Sequence, residues 1–157
     1  MHVEPWRMTH ATGMPVIDAR EDFARARRAA RAARAARWLG RRRRPVVPRT
    51  LHEGGWLPQG TRELRVIRLP EIVGTMEPTI SFDADFRPAT ELVRARWERI
   101  ALAHHRGRAL PPVDVLQRPD GYYVVDGRHR VSVARALGQR HIDAWVTCAR
   151  DGLPAAA

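Results

Sequence analysis

The amino-acid sequence predicts an α/β fold of the α+β type, in which a small mixed sheet with helices follows a basic N-terminal helix. Two short runs of β-branched and aromatic residues, 113–116 and 122–125, flank turn residues and indicate a β-hairpin. A glycine then separates the second run from a helical pattern that opens with Arg-His-Arg. A long stretch of arginine and alanine with helical start and stop signals precedes this unit.

The N-terminal third of the chain carries nearly all of the net charge of +11. Twelve arginines and two acidic residues lie between positions 20 and 49, whereas the rest of the chain has 16 arginines and 15 acidic residues. An acidic first turn that begins at Asp18 and a stop at Gly40 predict a helix of about 21 residues. The Pro- and Gly-containing stretch after it predicts a linker.

This basic helix is predicted to have two different faces. Four alanines share one face: Ala26, Ala29, Ala33 and Ala36. Because alanine buries little apolar area, we expect the helix to dock weakly on the rest of the protein or not at all. Phe23 and Trp38 lie toward the arginine side, which is typical of a helix that binds a partner.

The arginines of the helix and of the tail after it are candidate contacts to DNA or RNA. They are Arg20, Arg27, Arg31, Arg34, Arg41, Arg42, Arg43 and Arg44. Such contacts neutralise phosphates and give a salt-sensitive affinity without sequence preference. A membrane is excluded as the partner, since alanine is too small to anchor the helix in lipid. One alternative is a solvated basic arm, because the absence of lysine indicates a codon bias that favours arginine. The other is a contact with a protein partner.

A central helix is predicted over residues 91–107, with Thr90 as its cap. Its core-facing stripe is Val93, Trp97, Ile100 and His104. Adjacent residues of a helix point about 100° apart, so His104 and His105 cannot share a metal ion. The sequence predicts no metal site.

The turn after the hairpin is the strongest candidate binding site. The helical pattern over residues 129–137 ends at a glycine, and residues 142–147 follow as a third strand. Backbone N–H groups at the start of such a helix lack intrahelical acceptors and bind anions, most often phosphate. The candidate phosphate- or nucleotide-binding residues are Asp126, Gly127, Arg128, His129 and Arg130. The alternative is a plain turn with solvated arginines.

Residues 110–117, 121–130 and 134–138 resemble the ParB/sulfiredoxin-like superfamily, the fold of the N-terminal domain of chromosome-partitioning protein B. Residues 65–73 look like the opening strand and turn of that family. The resemblance covers residues 62–148. Together with the charge, helix and turn patterns on either side of it, the resemblance predicts five segments: a flexible N-terminus over 1–17, the basic helix over 18–40, a linker over 41–61, the family domain over 62–148 and a flexible tail over 149–157.

The turn departs from each relative at Arg128, and from the partition proteins also at His129, which takes the place of their first arginine. Partition proteins have Gly-Glu-Arg-Arg there, and the glutamate is tied to CTP turnover; Arg128 takes its place here. Sulfiredoxin has a cysteine at that position, so the resemblance excludes sulfinic acid reduction because Cys148 lies outside the turn. The Asp-Gly-His-His-Arg of free-serine kinases matches Asp126, Gly127, His129 and Arg130.

Two functions follow from the resemblance. The first is a nucleotide- or phosphate-binding module associated with DNA, with chromosome or plasmid partitioning as the process it would serve. Its expected ligand is CTP or ATP with Mg²⁺. The second is a free-serine type kinase in which Glu77 or Asp126 accepts the hydroxyl proton. Glu77 is a candidate because the segment after the first strand lies beside the turn in this family, and Asp83 and Asp85 are the other acidic residues of that segment. The alternative is that Asp83 and Asp85 cap local turns and that Glu77 is exposed. Nucleotide hydrolysis of the partition type is not expected.

The sequence also limits partners and compartment. No room remains after residue 148 for the helix-turn-helix domain of a partition protein, so we expect a homodimer or a separate partner that reads DNA sequence. The single cysteine excludes an internal disulfide and favours a cytoplasmic protein, with association to the nucleoid as one option. No apolar run approaches the ~20 residues that span a bilayer.

Overall fold

The computed structural model describes residues 12–40, 47–51 and 56–151. Within these residues, three α-helices and a six-stranded mixed sheet confirm the predicted α+β class. The helices are α1 (Pro15–Trp38), α2 (Arg94–His105) and α3 (Arg128–Ala136). The strands are β1 (Arg49–Thr50), β2 (Trp56–Arg68), β3 (Ile72–Thr75), β4 (Val113–Arg118), β5 (Gly121–Asp126) and β6 (His141–Asp151).

The sheet has the strand order β1-β3-β5-β4-β6-β2. Strands β4 and β5 form the predicted hairpin, and β6 runs antiparallel to β2 at one edge. Strand β3 pairs in parallel with both β1 and β5, and β4 pairs in parallel with β6. The predicted strands and the helix between residues 113 and 147 therefore exist, with ends that differ by at most four residues.

One apolar core lies between the sheet and α3, and a second joins the three helices. The first contains Ile67, Val113, Val115, Val124, Val131 and Val146. In the second, Phe23 contacts Trp97 edge-on, with ring centroids 5.5 Å apart. The indole N–H of Trp97 donates to Ser132 Oγ over 2.9 Å, so this buried polar atom is satisfied.

The expectation that α1 docks weakly is wrong, because Phe23 is only 1% exposed. The stripe that packs is Ala19, Phe23, Ala26 and Ala30, which lies between the predicted alanine and arginine faces. A single phenylalanine supplies the apolar area that alanines lack. The buried residues of α1 end at Ala30, and the last two turns extend past the core.

The predicted linker also differs from the structure. Residues 49–50 form β1 beside β3, and from residue 56 onward the chain belongs to β2. Main-chain hydrogen bonding to the sheet outweighs the local Pro and Gly signals. Residues 15–17 and 149–151, predicted to be flexible, belong to α1 and β6. The remaining parts of the predicted termini and linker, 1–11, 41–46, 52–55 and 152–157, lie outside the described residues.

The central helix begins with a single 3-10 turn over Glu91–Val93 and continues as α2. Thr90 lies at the N-cap position, as predicted, but its side chain makes no capping hydrogen bond: the hydroxyl is buried and has no hydrogen-bond partner among the described residues. No helix in the described ranges has the length and apolar content needed to cross a membrane.

Candidate functional site

The turn between β5 and α3 depends on Gly127. Its φ of +103° is in the left-handed region that favours glycine. A Cβ atom at this position would lie 2.7 Å from Cγ1 of Val113, a contact that real Cβ atoms do not make. The glycine therefore permits α3 to start directly against β4, and Val131 N–H donates to the Gly127 carbonyl over 3.0 Å.

Arg130 does not point freely toward a ligand. Its Nη1 donates to the carbonyls of Pro111 and Pro112, each over 2.8 Å, and its Nη2 donates to Asp126 Oδ2 over 2.6 Å. The side chain is only 13% exposed. The arginine that the sequence indicates as a phosphate ligand thus joins the loop before β4 to the end of β5.

Arg128 and Glu77 come together across the turn. Arg128 Nη2 donates to Glu77 Oε2 over 3.4 Å, and the glutamate side chain is 73% exposed. Glu77 follows β3, where Thr75 Oγ1 donates to the Glu77 carbonyl over 2.7 Å and holds the backbone. An exposed pair at this distance is weak, so an incoming anion competes for Arg128 at little cost.

His129 differs from the two arginines beside it in charge. Its ring lies edge-on to Phe82, with centroids 5.2 Å apart. Burial, together with the nearby charges of Arg96 and Arg128, lowers the pKa of His129 to about 4, although Asp126 opposes this. The imidazole is therefore neutral at pH 7, and the turn has less positive charge than Arg-His-Arg suggests.

The backbone N–H groups of Arg128, His129 and Arg130 lie in the first turn of α3 and have no intrahelical acceptor. They belong to the same helical turn as the Arg128 side chain. Asp126 and Glu77, the two predicted proton acceptors, each pair with an arginine instead of with one another. The N–H groups and the Arg128 guanidinium are donors of the kind that bind an anion.

Asp83 and Asp85 serve a local turn. Asp83 Oδ1 accepts from the N–H groups of Asp85 and Arg87 over 3.0 and 2.9 Å. The guanidinium of Arg87 pairs with both carboxylates. Asp83 therefore caps a local turn, as the alternative interpretation of the sequence holds, and Asp85 pairs with Arg87.

The arginines of α1 fall into two groups. Arg27 is 12% exposed; its Nε donates to Glu91 Oε1 and its Nη1 to the Pro88 carbonyl, both over 3.2 Å. Arg27 is thus part of the joint between α1 and the domain and not of a free binding face. Arg31 lies 3.9 Å from the same glutamate but is mostly exposed. Arg20, Arg28 and Arg34 are exposed, and Arg41, Arg42, Arg43 and Arg44 lie outside the described residues.

The buried carboxylate of Asp22, which the sequence did not indicate as important, fixes the N-terminal half of α1. Asp22 Oδ2 lies 2.6 Å from His105 Nε2, and Arg25 Nη2 donates to Asp22 Oδ1. The two partners are 83 residues apart in the sequence, so no local pattern marks them. His105, one of the pair considered for metal binding, instead holds α1 against α2.

The described residues contain no group of three or more His, Cys, Asp or Glu side chains that could hold a metal ion. His104 Nδ1 is 3.4 Å from Gln139 Nε2. Cys148 is exposed on β6, with Sγ 3.6 Å from Gln117 Oε1.

Comparison with known proteins gives little. No family model and no curated protein matches the sequence. Among solved structures, the chain is similar to sulfiredoxin from Arabidopsis thaliana, with 20% identity and a TM-score of 0.40. The alignment covers 57% of this chain and 86% of that chain.

Proposed function

We propose that this protein is a nucleic-acid-associated binding module whose α1 helix contacts DNA or RNA without sequence preference. One observation carries the proposal: α1 is anchored through Phe23, while the exposed arginines continue beyond the last buried residue, Ala30. Its 24 residues span about 36 Å. A fixed helix of this length presents its charges to several successive phosphates.

The charge balance supports the same function. The segment from residue 20 to residue 49 has a net charge of +10, and the rest of the chain is close to neutral. A partner that neutralises this segment must be strongly anionic and extended. Counterion release from such a polymer makes its affinity fall steeply with salt.

The test compares two exposed pairs of arginines by fluorescence anisotropy with a labelled 20-base-pair duplex and a labelled RNA. The double variant Arg28→Gln/Arg34→Gln removes two charges from α1. The control, Arg68→Gln/Arg140→Gln, removes one charge at the end of β2 and one directly before β6. We expect the α1 variant to reduce the salt slope by about 2 and the control to leave it unchanged. Equal losses, or no binding by the unmodified protein, contradict the proposal.

A second function, the binding of a phosphate group at the start of α3, is supported by the three N–H groups beside Arg128. The ligand class is a nucleoside triphosphate, CTP or ATP, with Mg²⁺. The order of hairpin, glycine turn, helix and parallel strand supports a place in the ParB/sulfiredoxin-like superfamily, from which this ligand class follows.

Thermal unfolding with phosphate, sulfate, CTP or ATP, with and without Mg²⁺, tests this site. We expect ligand to raise the Tm of the unmodified protein and of Arg140→Gln, but to raise it much less for Arg128→Gln. If none of these anions shifts the Tm of the unmodified protein, the turn is structural only.

Binding is preferred to phosphotransfer because Asp126 is held by Arg130 over 2.6 Å, which leaves the exposed Glu77, weakly paired with Arg128, as the one of the two that could accept a proton. A kinase needs one of these carboxylates free to accept a hydroxyl proton. Incubation with Mg²⁺, ATP or ADP, and free serine distinguishes the two functions. Turnover that is lost in both Glu77→Gln and Asp126→Asn, with folding intact, would replace binding by the kinase.

A further inference from the structure

Trp38 ends α1 with 89% of its surface exposed. No ring or cation–π contact involves it among the described residues. By contrast, Trp97 is buried in the helical core, and the ring of Trp145 is covered by the Arg62 guanidinium at 4.7 Å. A tryptophan carries 150–250 Å² of largely apolar surface, so full exposure leaves a large area available to a partner.

The position of Trp38 places it on the arginine stripe of α1. Arg31, Arg34 and Trp38 follow the spacing i, i+3, i+7, which lies along one side of a helix. All three come after Ala30, the last buried residue, so the core does not cover this side. The end of α1 therefore presents two guanidinium groups and one indole along about 10 Å of the helix axis.

This combination distinguishes two forms of nucleic acid. A duplex offers phosphates, but its bases are stacked on each other and leave no free face for an indole. An unpaired strand offers phosphates and exposed bases, and stacking of bases on aromatic side chains next to basic residues is how sequence-tolerant single-strand binding works. The arginines serve either form, while the exposed indole is useful only for the second.

We propose that α1 prefers single-stranded DNA or RNA and that Trp38 stacks on its bases. The inference rests on the proposed nucleic-acid binding by α1 and adds the class of strand. The adjacent Leu39, 59% exposed, offers no ring and so no stacking surface.

The experiment measures Kd by anisotropy for a mixed-sequence 20-nucleotide single strand and for the same sequence as a duplex, using the full chain. We expect the unmodified protein to bind the single strand more tightly. Trp38→Ala should weaken single-strand binding about 5- to 150-fold, the range for loss of one stacked base, and leave duplex binding within about twofold. Trp38→Phe should keep most of the affinity for the single strand. Leu39→Ala should change the Kd for neither the single strand nor the duplex.

Arg34→Gln separates stacking from charge, because we expect it to weaken single-strand and duplex binding alike. Equal effects of Trp38→Ala on both substrates, or no effect on the single strand, overturn the inference and leave the proposed function intact. Binding to neither substrate by the unmodified protein overturns both. Trp38-dependent binding to phosphatidylserine vesicles without a change for the single strand assigns the indole to a membrane surface and also overturns it.

Discussion

Two arginine-rich regions of this protein use the same residue type in opposite ways. At the start of α3, Arg130 is 13% exposed and its donors go to Pro111, Pro112 and Asp126. On α1, Arg28 and Arg34 are exposed on a helix that is anchored elsewhere. Internal acceptors, not the number of arginines, decide which region is free to bind a partner.

The strongest way to break the comparison is to remove the anchor of α1. Phe23→Ala deletes a buried ring that contacts Trp97, and we expect a loss of about 3–5 kcal/mol in the free energy of unfolding, as for other core phenylalanines. Chemical denaturation followed by circular dichroism measures this loss. Trp38→Ala, on the same helix but exposed, should stay within about 0.5 kcal/mol of the unmodified protein. Similar losses in both variants would mean that α1 is not divided into an anchored and an exposed half.

A smaller effect is expected at the α3 turn. Arg130→Ala leaves two proline carbonyls and a carboxylate without their donor, and we expect it to cost about 2–3 kcal/mol of stability. Arg34→Ala is the matched variant on α1 and should cost no more than about 0.5 kcal/mol. Urea unfolding of the two variants compares them directly. An unchanged midpoint for Arg130→Ala would show that this arginine is as free as those of α1.

The third prediction concerns charge at the turn and has the smallest expected effect. The folded pKa of His129 is about 4, below its ordinary value of 6.5, so the unfolded chain takes up the proton first as the pH falls. Stability from the neutral ring is therefore present above pH 6.5 and is lost between pH 6.5 and 4. We expect this loss to be about 2 kcal/mol, after allowance for partial exposure.

Unfolding curves at pH 7, 5.5 and 4 for the unmodified protein and for His129→Gln isolate this contribution, since the carboxylates titrate in both. The difference in stability between the two proteins should shrink as the pH falls. A constant difference would mean that the pKa of His129 is the same in the folded and the unfolded chain, so that the folded protein does not oppose protonation of the ring and the turn gains a positive charge below about pH 6.5, as a more basic surface like that of α1 would.

Local patterns predict much of this fold, because β4, β5, α3 and β6 depend on periodicity and turn residues that act over a few positions. The packed face of α1 could not be predicted in this way, since its stripe follows one phenylalanine whose partner Trp97 is distant in the sequence. The structural role of Arg130 could not be predicted from the sequence either. Its acceptors at Pro111 and Pro112 are main-chain oxygens, which no side-chain motif marks.

The contact between Asp22 and His105 can form only late in the synthesis of the chain, because its two residues are far apart in the sequence. A ribosome adds roughly 5–20 residues per second, so the 83 residues between these partners take roughly 4–17 s to synthesise. Phe23 lacks its aromatic partner for most of that interval, until Trp97 is made, while a 24-residue segment rich in alanine is long enough to form a helix alone. The most basic element of the protein is thus exposed to anionic surfaces, the ribosomal RNA among them, before the domain that anchors it exists.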